Sequence, residues 1–198
     1  MIGIPLGLLY SNAAEWWIHK NILHGVGKKK SSIWNFHWGE HHKNSRQNDF
    51  CDGQYDEPFF TWNGPKKETL SILGLMALHV PLFSVAPWFT ATVWYSSLNY
   101  LYKHQKSHAD ADWCRKHMKH HYDHHMGRNQ DANWCVTQPW FDHIMGTRID
   151  YEYSNGRAAQ RSTASASPSE QRVHPWIRMT ESLFAKTLAT DSVLPDPR

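Results

Sequence analysis

Residues 70–102 read LSILGLMALHVPLFSVAPWFTATVWYSSLNYLY and contain no Asp, Glu, Lys or Arg over 33 positions. A helix that crosses a bilayer needs roughly 20 such residues, so the run is too long for one straight crossing. Pro81 and Pro87 lie near its middle, and proline interrupts a helix because it lacks a backbone donor. The run therefore predicts a helical hairpin that enters a membrane and returns to the same side.

Histidines lie both before and after this run, which gives a second reason for a hairpin. An even number of crossings keeps them on one face of the membrane, where they can serve one site. Basic residues flank both ends of the run, and the positive-inside rule then places the site in the cytosol. These residues are Lys20, Lys28, Lys29, Lys30, Lys43, Lys103 and Lys106. The alternative is a buried core hairpin of a soluble protein, which the mean hydropathy of −0.65 favours to some degree.

The composition points to a metal site beside a bilayer. The 198 residues suit one domain, and the net charge of +3 comes without the basic stripe that predicts nucleic-acid binding. The 15 histidines and 11 tryptophans stand out, because His is the commonest metal ligand and Trp is enriched at membrane interfaces. Three cysteines without a C-x-x-C pair predict neither a disulfide framework nor a zinc ribbon. The apolar N-terminal segment predicts a membrane or interfacial helix that continues to about His24.

Ten of the histidines fall into four clusters: HKNILH at 19–24, HWGEHH at 37–42, HQKSH at 104–108 and HYDHH at 121–125. Residues three or four apart share a face of an α-helix, so most histidines within a cluster are predicted to project together. The predicted sets are His37 with His41, His104 with His108, and His121 with His124 and His125. His19 and His24 are five apart, about 140° around an ideal helix, and need a helix end, a bulge or two different metals.

Ten imidazoles are too many for one metal ion and suit two. A four-coordinate zinc takes four ligands, and imidazole suits iron, zinc, copper and nickel alike, so the ligand type does not choose the metal. His79, His143 and His174 stand alone and are interpreted as surface or core residues, and His120 is interpreted as structural.

The four clusters, in this order, resemble the histidine boxes of the integral-membrane fatty acid hydroxylase/sterol desaturase family. The stretch NWCVTQPWFDHIMGTR at 133–148 is similar to the segment that follows the last box in that family, and Asn12 and Glu15 before the first box fit as well. The resemblance covers about residues 11–148. Compared with that family, the sequence begins within what is usually a later part of an N-terminal membrane hairpin, so one membrane helix is expected to be short or absent here.

The resemblance implies a non-haem di-iron centre on the cytosolic side of the membrane, with zinc as a possible occupant after purification. Its ligands would be His19, His24, His37, His41, His42, His104, His108, His121, His124 and His125. Such an enzyme uses O2 to hydroxylate a fatty acyl or sterol-like lipid. The sequence has no flavin or haem motif, so electrons are expected from an external donor, a ferredoxin or a b-type cytochrome.

Further roles follow from the resemblance for residues near the boxes. His117 lies four residues before His121 and could be a ligand or support one, and Asp123 and Glu40 could orient ligand imidazoles. Glu40 could equally be an exposed helix residue. The aromatic residues that could line a substrate entrance, although such residues are more often core or interfacial anchors, are Trp134, Trp140 and Phe141. Asp142 and Thr147 are expected to shape a closing turn.

The sequence thus predicts an all-α fold, with membrane-embedded helical hairpin(s) under a cytosolic, histidine-rich helical cap. The hydroxylase-like domain is predicted at residues 1–150. A linker and a disordered tail are predicted at 151–198, with small polar residues at 155–172 and a short amphipathic piece at 179–188. Two alternatives remain open. One is a lipid or sterol desaturase that uses the same ligands, and the other is a membrane protein that binds or transports zinc without redox chemistry.

Overall fold

The computed structural model describes residues 2–58, 60–154 and 157–160. The helices, in chain order, are α1 Gly3–Ile18, a π-helix His19–Val26, a second π-helix Phe36–His42, α2 Lys43–Gln47, α3 Gly64–Leu78, α4 Pro87–Ala109, α5 Ala111–His117, α6 Lys119–Met126 and α7 Trp140–Met145, with short 3-10 turns at Gly53–Asp56 and Val80–Ser84. The described part of the chain is therefore mostly helical, as predicted.

The apolar run forms the predicted helical hairpin. Asn63 caps the start of α3 by accepting a hydrogen bond from the backbone N–H of Lys66, and α3 ends at Leu78. The 3-10 turn with Pro81 follows, and Pro87 is the first residue of α4, a position where proline costs no helix hydrogen bond. The two prolines therefore break the run where the sequence predicted the break.

Helix α1 packs closely along α4 because two glycines allow the backbones to approach. A Cβ atom on Gly7 would lie 2.8 Å from the Cβ of Thr92, and one on Gly3 would lie 2.8 Å from the backbone nitrogen of Phe89. The start of α1 thus lies beside the start of α4, at the hairpin end of the molecule. The first helical segment then continues as a π-helix to Val26, slightly beyond the predicted end near His24.

Large apolar side chains are exposed along the hairpin and on α1. They include Ile2, Leu6, Leu70, Leu73, Leu78, Val80, Phe83, Val85, Trp88, Tyr95 and Leu98. Within the described residues, however, every helix falls short of the combined length and apolar character that a bilayer crossing requires.

The segment after the helices forms a small antiparallel pair of strands, β1 Tyr151–Ser154 and β2 Arg157–Gln160, with Tyr151 opposite Gln160. The predicted linker at 151–198 is therefore wrong at its start, since the small polar residues from 155 carry little signal for a strand. The side chain of Tyr151 is buried, so β1 is attached to the helical cap. The predicted amphipathic piece at 179–188 lies outside the described residues.

We expect Gly7→Ala to destabilise the protein, because its Cβ would overlap Thr92 at 2.8 Å and force α1 away from α4. Overpacking of this kind costs about 1–3 kcal/mol. The matched control is Gly74→Ala in α3, where a Cβ meets nothing within 4 Å, and which should stabilise the helix by about 0.5–1 kcal/mol. Thermal unfolding of the purified variants measures both. Equal shifts of the two midpoints would contradict the close packing of α1 on α4.

Candidate metal centre

The ten histidines of the four boxes come together in the interior of the cap, each with 4 % or less of its surface exposed. Their ring nitrogens form two groups. Group A consists of His19, His24, His37, His42 and His124, and group B consists of His41, His104, His108 and His125. His121 lies next to group B, with its Nε2 3.1 Å from Nε2 of His108.

The two π-helices explain how histidines five residues apart reach one site. A π-helix bonds residue i to residue i+5, so these residues lie one above the other. His19 and His24 therefore both belong to group A, which resolves the spacing that an α-helix could not accommodate. The same geometry pairs His37 with His42, so the predicted pairing of His37 with His41 on one α-helical face is wrong, and His41 joins group B.

Helices α4 and α6 supply the remaining histidines. His104 and His108 are four apart in regular α-helix and share group B, as predicted. Helix α6 lies between the groups, since His124 belongs to group A and its neighbour His125 to group B. The three histidines of this box are therefore divided: His124 belongs to group A, His125 belongs to group B, and His121 lies beside group B.

In group A, acceptors at the Nδ1 atoms of His19, His24 and His124 leave the Nε2 atoms of these three histidines free to bind a metal. His19 Nδ1 lies 2.6 Å from the carbonyl oxygen of Trp134, and His124 Nδ1 lies 2.7 Å from that of Ala132. A carbonyl oxygen only accepts, so each Nδ1 carries the proton and each Nε2 keeps a lone pair. His24 Nδ1 lies 3.3 Å from the carboxylate of Asp131.

In group B, two of the corresponding acceptors are buried carboxylates. His41 Nδ1 lies 2.8 Å from Asp52 and His104 Nδ1 lies 2.7 Å from Glu68, while His108 Nδ1 lies 2.9 Å from the carbonyl oxygen of Phe50. Phe50 has a φ of 80°, a conformation that a bulky residue rarely adopts, and this aims its carbonyl at the imidazole.

Glu68 is the most connected of these carboxylates. It also accepts hydrogen bonds from the hydroxyls of Tyr100, at 2.8 Å, and Tyr55, at 3.1 Å. Burial alone would raise the pKa of Glu68, but the imidazole of His104 and the Tyr100 hydroxyl outweigh it and lower the pKa to about 2. Glu68 is therefore ionised at neutral pH.

The two groups fit metal ions. Neighbouring Nε2 atoms face each other, as for His19 and His37 at 2.9 Å, and the buried Nε2 atoms of His41 and His104 have no hydrogen-bond partner. Nitrogens bound to a metal at about 2.1 Å lie about 3.0 Å apart at right angles and about 3.4 Å apart in a regular tetrahedron. Five Nε2 pairs lie 2.9 to 3.2 Å apart, close enough for the two nitrogens of a pair to bind the same ion.

The structure corrects two of the supporting roles, those of His117 and Asp123, and decides between the two possibilities for Glu40. His117 is exposed at the end of α5, packs on Trp113, and belongs to neither group, because Met118 interrupts the helix before His121. Glu40 is exposed, which was the second possibility for it. Asp123 is buried, but its carboxylate accepts from Lys119, Arg148 and Tyr153 and orients no imidazole.

The residues that do orient imidazoles, Asp52, Glu68 and Asp131, were missed by the sequence analysis. Each is a carboxylate near a box or near the apolar run, but none has a fixed spacing to the histidine that it contacts. The weak signal for Glu68 was its position two residues before the uncharged run, on the helix that packs against α4.

A cavity of about 400 Å³ lies between α1, α3 and α4 and reaches His19 and His37 of group A. Its walls are mostly apolar, and its aromatic lining residues are Tyr10, Trp34, Phe36 and Tyr100. The predicted entrance residues lie elsewhere: Trp134 packs edge-on against His24, Phe141 packs on Trp16, and Trp140 is half-exposed. These three residues are close to the last box in the sequence, but they do not line the cavity.

Helix α1 holds the segment after the last box in place. The Glu15 carboxylate accepts from the backbone N–H groups of Val136 and Thr137, and Asn12 Oδ1 accepts from the N–H of Phe141. Asp142 accepts from the N–H groups of Trp134 and Cys135 and so forms the closing turn that was predicted. These bonds position the Trp134 carbonyl that His19 contacts.

Other histidines have structural contacts. His120 is buried and its Nε2 lies 2.8 Å from the carbonyl oxygen of Val136, which confirms its structural interpretation. His79 lies in the hairpin turn with its Nε2 3.1 Å from the hydroxyl of Tyr10.

We expect the metal-free protein to lose stability as the pH falls below about 6.5. Burial lowers the pKa of nine box histidines below the ordinary imidazole value of 6.5, namely His19, His24, His37, His41, His42, His108, His121, His124 and His125. Below that pH the unfolded chain binds protons that the folded chain rejects, so unfolding becomes more favourable. Circular dichroism of the metal-free protein between about pH 7 and about pH 5 should show a falling unfolding midpoint. A constant midpoint would contradict the neutral, buried state of these imidazoles.

Comparison with known proteins gives one match. The model of the family described as fatty acid hydroxylase matches residues 4–147, which include all ten histidines and end before β1. Searches of curated proteins and of solved structures found no significant match. The match spans most of the chain, and the chain belongs to the fatty acid hydroxylase family.

Proposed function

We propose that the protein hydroxylates a C–H bond of a membrane lipid, a fatty acyl chain or a sterol-like molecule, using O2 at a two-iron centre. The observation that carries the proposal is the pair of buried histidine groups beside an apolar cavity, in a chain of this family. The reaction consumes O2, two electrons and two protons, and yields the hydroxylated lipid and one water molecule.

Group A and group B would each hold one ion, which when bound supplies the activation of O2. The chain itself holds six of the box imidazoles in one tautomer through their Nδ1 hydrogen bonds, so these nitrogens need not reorient on binding. It also excludes water, since the box histidines are buried and the cavity beside them is mostly apolar.

The cavity has the size and lining expected for the acyl or ring portion of a lipid. Its volume of about 400 Å³ falls within the range of small-molecule sites. His19 and His37 lie at its inner end, whereas Leu78 and Tyr10 line the part nearer the hairpin turn. An acyl chain that enters the cavity from the hairpin end would bring one of its carbons close to group A first.

The exposed apolar end of the molecule supports a membrane location. Leu78, Val85 and Trp88 at the hairpin turn are 76 %, 78 % and 59 % exposed, and the N-terminus of α1 lies beside them. Such a contiguous apolar surface is typical of a membrane-binding site. We propose that this end dips into the bilayer and that the lysine-rich segment at 28–30 places the histidine cap on the cytosolic side.

Electrons must come from another protein, and a ferredoxin or a b-type cytochrome would serve. The desaturase alternative differs only in its product, a carbon–carbon double bond with two water molecules. The zinc-transport alternative expects ligands graded along a pathway, whereas the box histidines here gather in two adjacent groups.

The first test is lipid mass spectrometry of cells that express the chain with an electron donor. We expect a lipid that gains the mass of one oxygen atom with the intact chain and disappears with His124→Ala. His117→Ala is the matched control, because this histidine of the same stretch is exposed and belongs to neither group, and it should retain full product. A lipid that loses two hydrogen atoms would make the enzyme a desaturase. No change in any lipid would contradict both oxidations.

The second test is binding to phospholipid vesicles by flotation. Val85→Asp at the hairpin turn should weaken binding about tenfold or more, since a carboxylate at depth costs about 2.5–3.5 kcal/mol. Ile33→Asp is the control, because Ile33 is equally exposed, at 78 %, but lies near the lysines of the cap. If both variants bind like the unmodified protein, the hairpin end is not the membrane surface.

A further inference from the structure

The two histidine groups differ in the charged residues that contact their imidazoles. Behind group B, the carboxylates of Asp52 and Glu68 contact ligand imidazoles, and their side chains are only 1 % and 11 % exposed. Behind group A, the acceptors at His19 and His124 are neutral backbone carbonyls. Two buried negative charges therefore stand behind group B, and none of comparable burial contacts the box imidazoles of group A in the described part of the chain.

Asp131 does not provide group A with an equivalent buried charge. Its carboxylate contacts His24 at a long 3.3 Å, is 53 % exposed, and is shared with Lys28, whose Nζ lies 2.6 and 2.8 Å from its two oxygens. Solvent and the lysine charge both weaken its field at the imidazole. Its position also brings solvent closer to group A than to group B.

An imidazole that donates Nδ1–H to a buried carboxylate is a stronger ligand than one that donates to a carbonyl, since the negative charge raises the electron density on Nε2. Group A contains five imidazoles and group B contains four, and His121 lies beside group B with its Nε2 3.1 Å from that of His108. The number of imidazoles therefore does not favour group B, whereas the neighbouring charges do.

We propose that the two histidine groups hold their metal ions with unequal strength: group B, backed by carboxylates, retains its ion, while group A, which faces the cavity, releases its ion first. This inference rests on the two-metal centre of the proposed function. It assigns the more exchangeable ion to the position nearest the substrate, since His19 and His37 of group A line the cavity.

The test uses the full chain loaded with Zn²⁺, which is then challenged with an excess of a chromogenic chelator. Metal analysis should give two zinc ions per chain, released in two phases whose rates differ about tenfold or more. His24→Asn should leave one slowly released ion, and His104→Asn should leave one rapidly released ion. These two variants assign each phase to a group without reference to enzyme activity.

The carboxylates are then compared directly. Asp52→Asn should accelerate the slow phase about 10- to 100-fold, which is the usual effect of removing a group that supports a ligand. Asp131→Asn makes the same chemical change at the exposed carboxylate and should alter the fast phase less than about threefold. Glu68→Gln serves as a second group B variant if Asp52→Asn lowers the helical content.

Two outcomes would overturn the inference and leave the proposed function standing: release of both ions with one rate constant, or a His24→Asn protein whose single ion leaves fast. A chain that binds fewer than two ions would contradict the two-metal centre, and with it both proposals.

Discussion

The structure depends on where the protons of the box imidazoles lie. Carbonyl and carboxylate acceptors hold the proton on Nδ1 of six histidines, so their Nε2 lone pairs point inward. Bringing so many lone pairs together in a buried space is unfavourable without a cation. The packing of α1, the hairpin and the segment after α6 maintains this unfavourable arrangement, because it fixes the acceptors in place.

The helical architecture and the identity of the clustered histidines could be predicted from the sequence. The uncharged run with its two prolines specified a hairpin, and repeated spacings of three to five residues specified histidines that act together. Both signals are local, so a periodic pattern is sufficient to find them. All ten histidines are buried, nine of them in the two groups and His121 beside group B, which agrees with that prediction.

The division of the histidines between the groups could not be predicted, because it depends on the type of helix. His37 pairs with His42 through a π-helix, and no propensity rule separates a π-helix from an α-helix in HWGEHH. The carboxylates were missed for a related reason. Asp52 and Glu68 reach their imidazoles through tertiary contacts, Asp52 from the loop before the 3-10 turn and Glu68 from α3, and such contacts leave no fixed interval along the chain. The aromatic residues near the last box were assigned to the cavity by proximity in sequence, whereas α1, α3 and α4 form most of its wall.

Two pairs of adjacent residues link the groups. His41 and His124's neighbour His125 belong to group B, while His42 and His124 belong to group A. Each pair is joined by a single peptide unit, whose length is set by covalent bonds. The peptide bond keeps adjacent Cα atoms about 3.8 Å apart, so the backbone limits the separation of the two groups at two places, one in the second π-helix and one in α6. A larger separation would require rotation of the buried histidine side chains at both places.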